Sequence, residues 1–380
     1  MLTGLGGQDS GIVVSGLKMD NVEQFESALE PIIAAAGRDA IAQCWLVKVA
    51  ANRPPWTHSG IELSVGDRIS VFSAGRAGIA GAPNIWVGSH FALWMRIGLE
   101  GEIFRAPGHS YTLTAGTGGQ LYLGNIFPGA WADRHGGVAT DRRAYERVTG
   151  TLAVLVVRWR IEPLAGLERL ARDDSPGAAV VRAELERLKN PVITPAGWHY
   201  LWSVGDGGIF DSGVGAEGES IVRCRLRDDA AILQRPMRLA FDPAVKLRWL
   251  WKIDALPSAR REDALPSHDY LSVAVEFDNG QDLTYLWSAA MPVGSSFRCP
   301  ISSWNGRETH MVVRSGMERL GEWISEERNV WDDYIRAIGT PPAAIVAVWL
   351  IAVGIFGHTD AYCEYSALEL ATDQDTTRLI

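Results

Sequence analysis

Two short motifs could move protons. His268-Asp269-Tyr270 stands at the start of an alternating apolar stretch, and His358-Thr359-Asp360 follows the longest apolar run of the chain. Histidine exchanges protons near neutral pH, and a carboxylate beside it can fix its tautomer. Adjacent residues on a strand point to opposite faces, so Asp360 or Glu364 is as good a partner for His268 as Asp269. The competing reading makes all of these ordinary turn residues. A second pair is Glu276 and Asp282, which a hairpin would set opposite each other. Facing carboxylates need solvent or a bridging cation; calcium would need further oxygen ligands besides these two.

Binding rather than proton transfer is suggested elsewhere. There are 15 Trp against 10 Phe and 9 Tyr, and Trp suits sugar stacking, apolar pockets and sandwich cores alike. In the first half Trp56, His58, His90, Trp94, His109, Asn125 and Trp131 fall at strand ends and loops, where with Trp86 they could line a shallow aromatic site. In the second half Asp206-Gly207-Gly208 and Asp211-Ser212-Gly213 could hold a cation or sugar, with Trp249 as a further ligand-binding candidate. Core tryptophans and common acidic turns are the plainer account of both sets.

Several functions find no footing. The net charge is -9 and no Lys/Arg-rich run occurs, so neither nucleic acid nor an anionic membrane is an expected partner. The expected partner is a small molecule or glycan; the oligomeric state is left open. Cys44, Cys224, Cys299 and Cys363 are scattered, with no CxxC and no short His spacing, which indicates neither zinc nor disulfides. Gly4-Leu5-Gly6-Gly7 follows no expected strand, against a phosphate loop, and there is no G-x-S-x-G elbow. Residues 1–10 lack a charged segment leading into an apolar one, so a cytoplasmic location is expected. Residues 343–356 are too few to span a bilayer and read as a buried strand.

The elements that must position these residues are mostly strands. A chain of 380 residues exceeds what one core usually holds, giving two domains. The alternation of Leu247, Trp249, Trp251 and Ile253 predicts a strand with one buried face. Residues 270–277 and 283–287 predict a hairpin around Asp278-Asn279-Gly280. A three-residue loop with Gly280 left-handed sets Val275 opposite Leu283, Val273 opposite Tyr285 and Leu271 opposite Trp287. Earlier strands fit residues 45–49, 56–63, 68–72, 91–97, 111–114, 120–124 and 151–160. Residues 21–37 predict a helix capped by Asp20, ended by Gly37 and kinked or split at Pro31. Residues 164–190 predict a helical hairpin, broken at residues 173–177, that links the domains and packs across both.

The residues Trp56-x-x-Ser-Gly-Ile-x-Leu-x-x-Gly-Asp-x-Ile, with Leu121-Tyr122-Leu123-Gly124-Asn125, resemble the galactophilic-lectin type of galactose-binding β-sandwich over roughly residues 45–159. That family holds calcium and sugar on Asp, Asn and backbone oxygens near the domain end; this chain has Leu155-Val156-Val157-Arg158-Trp159-Arg160 there, so the calcium site does not carry over. The second half resembles an uncharacterised bacterial domain family with an expected galactose-binding-like sandwich. The match rests on Asp211-Ser212-Gly213, residues 247–251, His268-Asp269-Tyr270, residues 312–316 and 321–329, and Asp333-Tyr334. His268 stands where that family commonly has an acidic residue, and Gly357-His358-Thr359-Asp360 replaces an Asp/Asn-rich turn.

The expected fold is mainly β: tandem jelly-roll sandwiches at residues 41–162 and 193–372, an N-terminal helical segment at 1–40 and a helical linker at 163–192. Two functions follow. One is recognition or processing of a carbohydrate or other polyhydroxylated molecule. The other is a lyase or hydro-lyase without organic cofactor, using His and Asp/Glu on an apolar substrate in a Trp-lined pocket.

Overall fold

A computed structural model describes residues 13–14, 17–35, 37–79, 85–127, 129–172 and 174–380. The glycines at 4–7 and Asp173 of the linker lie outside these residues. The protein is mainly β, built as stacked sheets with the N-terminal and linker helices on the first half's outer face.

In the first half, Thr57–Leu63, Gly119–Asn125, Leu93–Ile97 and Phe104–Arg105 form one sheet in that order. Ile41–Ala50, Gly150–Trp159, Arg68–Gly78 and Trp86–Gly88 form the other, with Ser110–Thr114 also paired to Arg68–Gly78. Gly150–Trp159 is apolar almost throughout because both its faces are covered. Leu152, Val154 and Val156 meet the four-stranded sheet, whereas Ala153, Leu155, Val157 and Trp159 meet helices. Each Val or Leu among them, fully buried, contributes roughly 1.5–3 kcal/mol.

The covering helices depart from expectation in three ways. Val22–Ala35 is a single helix despite Pro31, which lies on its exposed side where water can take the carbonyl left without a donor. Asn21, not Asp20, caps it by accepting from Gln24 N at 3.0 Å, while Asp20 pairs with Arg76 at 3.4 Å. The linker forms Pro163–Leu170 and Pro176–Lys189, the second capped by Ser175. Its buried Leu167, Leu170, Val180 and Val181 pack on the first half's outer sheet face and the N-terminal helix, rather than across both halves. Residues 91–97 also divide: Ser89–Ala92 is a short helix and the strand begins at Leu93.

The second half pairs a six-stranded with a seven-stranded sheet. Lys246–Ala255 is a strand whose Leu247, Trp249, Trp251 and Ile253 are buried between them, as the alternation predicts. The hairpin has the expected register: Val275 faces Leu283, Val273 faces Tyr285 and Glu276 faces Asp282. Gly280 has a φ of 76° and Phe277 N donates to Gln281 O at 2.9 Å, closing the three-residue loop.

The seven-stranded sheet runs His199–Tyr200, Ala230–Ala240, Ala344–Val353, Tyr270–Phe277, Asp282–Ser288, Glu308–Ser315, Ser296–Arg298. Its pairings are antiparallel except that of Asp282–Ser288 with Glu308–Ser315, which is parallel. Parallel neighbours need a crossover rather than a tight turn. That crossover, residues 289–307, carries Cys299 and the loop at 300–304 over one end of the sheet.

This sheet is covered twice. Ile345, Val348, Leu350 and Ala352 pack against the six-stranded sheet, whereas Ala347, Trp349, Ile351 and Val353 share a core with the first half. The halves are also joined by polar contacts. Arg105, fully buried, reaches Asp229 Oδ1 at 3.1 Å and donates to the carbonyls of Val204 at 2.9 Å, His90 at 3.1 Å and Ala230 at 2.8 Å. Gly205, with φ 87°, allows this approach, since a Cβ there would stand 2.7 Å from Arg105 Cγ. Among the described residues no helix is long and apolar enough to cross a membrane.

Candidate functional site

A cavity of about 790 Å³ opens between the halves. Phe91, Phe127, Tyr145 and Val148 line it from the first half; Ile232, Leu265, Ile301, Trp304, Ile351 and Phe356 line it from the second. Its size falls in the usual range for small-molecule sites. Thr140, Asp141, Arg143, Arg147 and Ser302 add polar groups, and at the sheet end the lining includes Tyr270 and Glu308.

Tyr270 and Glu308 belong to a buried polar patch on the face of the seven-stranded sheet that looks toward the first half. Residues two apart on a strand share a face, so Glu308 and His310 project together and Thr309 and Met311 point away. Tyr270 donates its hydroxyl to Glu308 Oε1 at 2.9 Å. His310 Nε2 stands 3.4 Å from Glu308 Oε2. The crossover brings Cys299 Sγ to 3.3 Å from His268 Nε2, and His268 Nδ1 meets the carbonyl of Glu262 at 2.6 Å. One donor atom each from His268, Cys299, Glu308 and His310 lies within 4.8 Å of the other three.

Burial works to raise the Glu308 carboxyl, but the imidazoles of His310 and His268 outweigh it, leaving it at about 2. With its carboxyl held low and the Tyr270 hydroxyl donating to it, Glu308 is placed to accept hydrogen bonds or hold a cation. Burial, then the neighbouring His310, lowers His268 to about 4. The Cys299 thiol is pushed up by burial and by the Glu308 charge. Asp282, buried beside Glu308, is pushed up by desolvation first and by that carboxylate second.

The remaining candidates are distributed elsewhere. Asp269 points away from the patch and accepts from Phe356 N at 3.0 Å and Gly357 N at 2.6 Å, tying down the turn after the buried strand. His358 Nδ1 pairs with Asp228 Oδ1 at 2.8 Å and stacks on Trp86 at 3.8 Å, another contact between the halves. Asp360 is exposed, and Glu364 pairs with Arg223 at 3.4 Å and Lys252 at 3.5 Å in the six-stranded sheet. Neither can partner His268, because that sheet lies across the core. Between Glu276 and Asp282 the cation is a side chain: Arg307 lies 3.1 Å from Glu276 and 3.6 Å from Asp282.

The aromatic candidates pack on one another. Trp131 stacks on Trp56 at 5.4 Å and meets Trp94 edge-on at 5.3 Å, while Asn125 donates to the Ala51 carbonyl at 2.6 Å. His58 is exposed on an outer strand. Asp206 and Asp211 accept from Gly208 N at 2.7 Å and Ile193 N at 3.0 Å, as turn-stabilising carboxylates do. Trp249 is buried against Trp251 and Tyr285 in the sandwich core. Cys299, Glu308 and His310 escaped sequence reasoning. The one available signal was Glu308-Thr309-His310, a polar pair in register that leads into the apolar Met311-Val312-Val313.

His90 and His109 form a second cluster, with ring centroids 4.5 Å apart. His109 Nδ1 lies 3.2 Å from Ser73 O and 3.3 Å from Ser89 Oγ. Arg105, Asp228, Asp229 and His358 stand around this cluster at the junction of the halves. Burial, and then His90, hold His109 well below the ordinary histidine range. Its folded pKa is lowered, so its contribution to stability is present above about pH 6.5, the unfolded value, and is lost as pH falls below it. The thermal midpoint should drop between about pH 7 and pH 5, and His109→Gln should flatten that slope; an unchanged slope would remove His109 from the account.

Residues 212–369 match a family described as "Protein of unknown function (DUF3047)". That span lies inside the half whose motifs resemble an uncharacterised family. No curated protein matches the chain. Among solved structures, the chain is similar to the N-terminal, PllA-like lectin domain of EclA at 20% identity, covering 32% of this chain and 99% of that one, with a TM-score of 0.25. It is similar to the xyloglucanase domain of NopAA from Sinorhizobium fredii at 5% identity, covering 43% and 87%, TM-score 0.29. It is also similar to the family GH12 endoglucanase 3 of Trichoderma harzianum at 9% identity, covering 48% and 100%, TM-score 0.21.

Proposed function

We propose that this protein is an enzyme that binds a largely apolar small molecule between its halves and acts on it where Tyr270 and Glu308 meet the cavity. The observation that carries this reading is the cavity's make-up: apolar walls from both halves, ending at a buried tyrosine hydroxyl hydrogen-bonded to a buried carboxyl group. Buried polar groups of this kind fix orientation and discriminate between ligands, because a ligand lacking the matching group leaves them unpaired. A proton relay fits the end of the cavity: a ligand hydroxyl donates to the Tyr270 oxygen as the Tyr270 proton passes to Glu308 Oε1.

A polyhydroxylated ligand is the second reading. Thr140, Asp141, Arg143 and Ser302 line part of the same cavity and offer hydrogen bonds to hydroxyls. Native mass spectrometry of the protein equilibrated with a metabolite extract, beside calorimetry with common sugars, separates the two. Retention of apolar metabolites that Glu308→Gln no longer converts is the expected result. Saturable sugar binding with no apolar ligand would replace the first reading by the second, and binding of neither would end both.

A further inference from the structure

We propose that His268, Cys299, Glu308 and His310 bind a single divalent transition metal ion, with zinc the best match. All four side chains are buried: His268, Cys299 and His310 are 0% exposed and Glu308 2%. Nδ1 of His310 has no hydrogen-bond partner although it is sealed from water, and Nε2 meets only the Glu308 carboxylate, at 3.4 Å. A buried imidazole in that state lacks the partner such groups almost always have, and here it faces a thiol, a carboxylate and another imidazole.

The spacing fits a metal. Zinc bonds of about 2.0–2.1 Å to nitrogen or oxygen and about 2.3 Å to sulfur give tetrahedral edges of about 3.4–3.6 Å. The Cys299 to His268 and Glu308 to His310 separations are 3.3 Å and 3.4 Å. Outer contacts are those of a ligand shell. The Glu262 carbonyl takes Nδ1 of His268 and leaves Nε2 toward the cluster, and Tyr270 occupies Oε1 of Glu308 and leaves Oε2. A thiolate and a carboxylate would balance a doubly charged ion in a dry site. Two nitrogens and a sulfur select a borderline or soft metal and disfavour calcium. The binding does not depend on what the cavity holds: only Glu308 of the four lines it, so the ion would stand one side chain behind the wall.

Cobalt titrated into the chelator-treated full-length chain tests this. The expected result is saturation at one ion per chain, visible ligand-field bands of four-coordinate Co2+, a thiolate-to-cobalt charge-transfer band, and displacement by Zn2+. Cys299→Ser should remove the charge-transfer band, and Tyr270→Phe should weaken affinity by about 10–100-fold. Absence of binding by the folded chain, checked by circular dichroism, overturns the proposal; so does a charge-transfer band that survives in Cys299→Ser. If Cys299→Ser does not fold, Cys44→Ser, Cys224→Ser and Cys363→Ser must each keep the band, and its loss in any of them overturns the assignment. Metal binding without any cavity ligand would sink the enzyme reading alone.

Discussion

Arg105→Met will destabilise the protein by about 3–5 kcal/mol, the usual cost of removing one partner of a buried ion pair. Methionine keeps much of the stem's bulk but none of the four contacts that Arg105 makes to Asp229 and to the carbonyls of Val204, His90 and Ala230. The larger part of the loss comes from what stays behind: Asp229, about 5% exposed and already raised by burial, is left without its guanidinium and must either hold an unpaired charge or take up a proton. Adding Asp229→Leu should recover part of the loss, because the pair's absence costs less than half a pair. Denaturant midpoints of the single and double variants measure this. A single variant within about 0.5 kcal/mol of the parent would show that Arg105 does not hold the halves together.

Ala230→Trp should reduce ligand affinity by at least about 100-fold, or about 2.7 kcal/mol. Ala230 is 6% exposed, lines the cavity and is the first residue of its strand, next to Asp229 at the junction of the halves. A large ring on a residue that lines the cavity takes up space there. A metabolite retained by the parent, measured by calorimetry, is the readout, and Trp56→Ala is the control. Trp56 packs on Trp131 and under Arg96 in the first half's own core, so its loss should lower stability and leave affinity alone. The reverse pattern would move the ligand to the aromatic cluster and restore the lectin-like reading.

Local order was legible in the sequence. Asp278-Asn279-Gly280 set the hairpin register, and alternation at Leu247, Trp249, Trp251 and Ile253 set the inner face of the six-stranded sheet, because both signals lie within a few residues of their effect. The apolar residues 343–356 announced a buried strand but not that it is buried by two different layers. His268, Asp269 and Tyr270 stood out as a motif, and Asp269 faces away from His268 and Tyr270, as strand geometry requires. Their actual neighbours could not be read. Cys299 arrives through a parallel crossover, and Glu308 with His310 through the strand after it; such pairings depend on sheet order, which no local spacing records. The cysteine spacing could not reveal the neighbours of Cys299 for the same reason, since ligand-spacing rules describe loops and hairpins.

The twice-covered sheet makes the two halves hostages to each other. A fragment starting near Trp198 would lay bare Leu286, Val312, Trp349, Ile351 and Val353 on a single flat surface, an area of grease that drives self-association. Any other chain carrying the segment equivalent to residues 212–369 faces the same demand, and must supply a lid of its own or borrow one from a neighbour. Swapping or losing the first half in evolution would thus require a replacement roof in the same step.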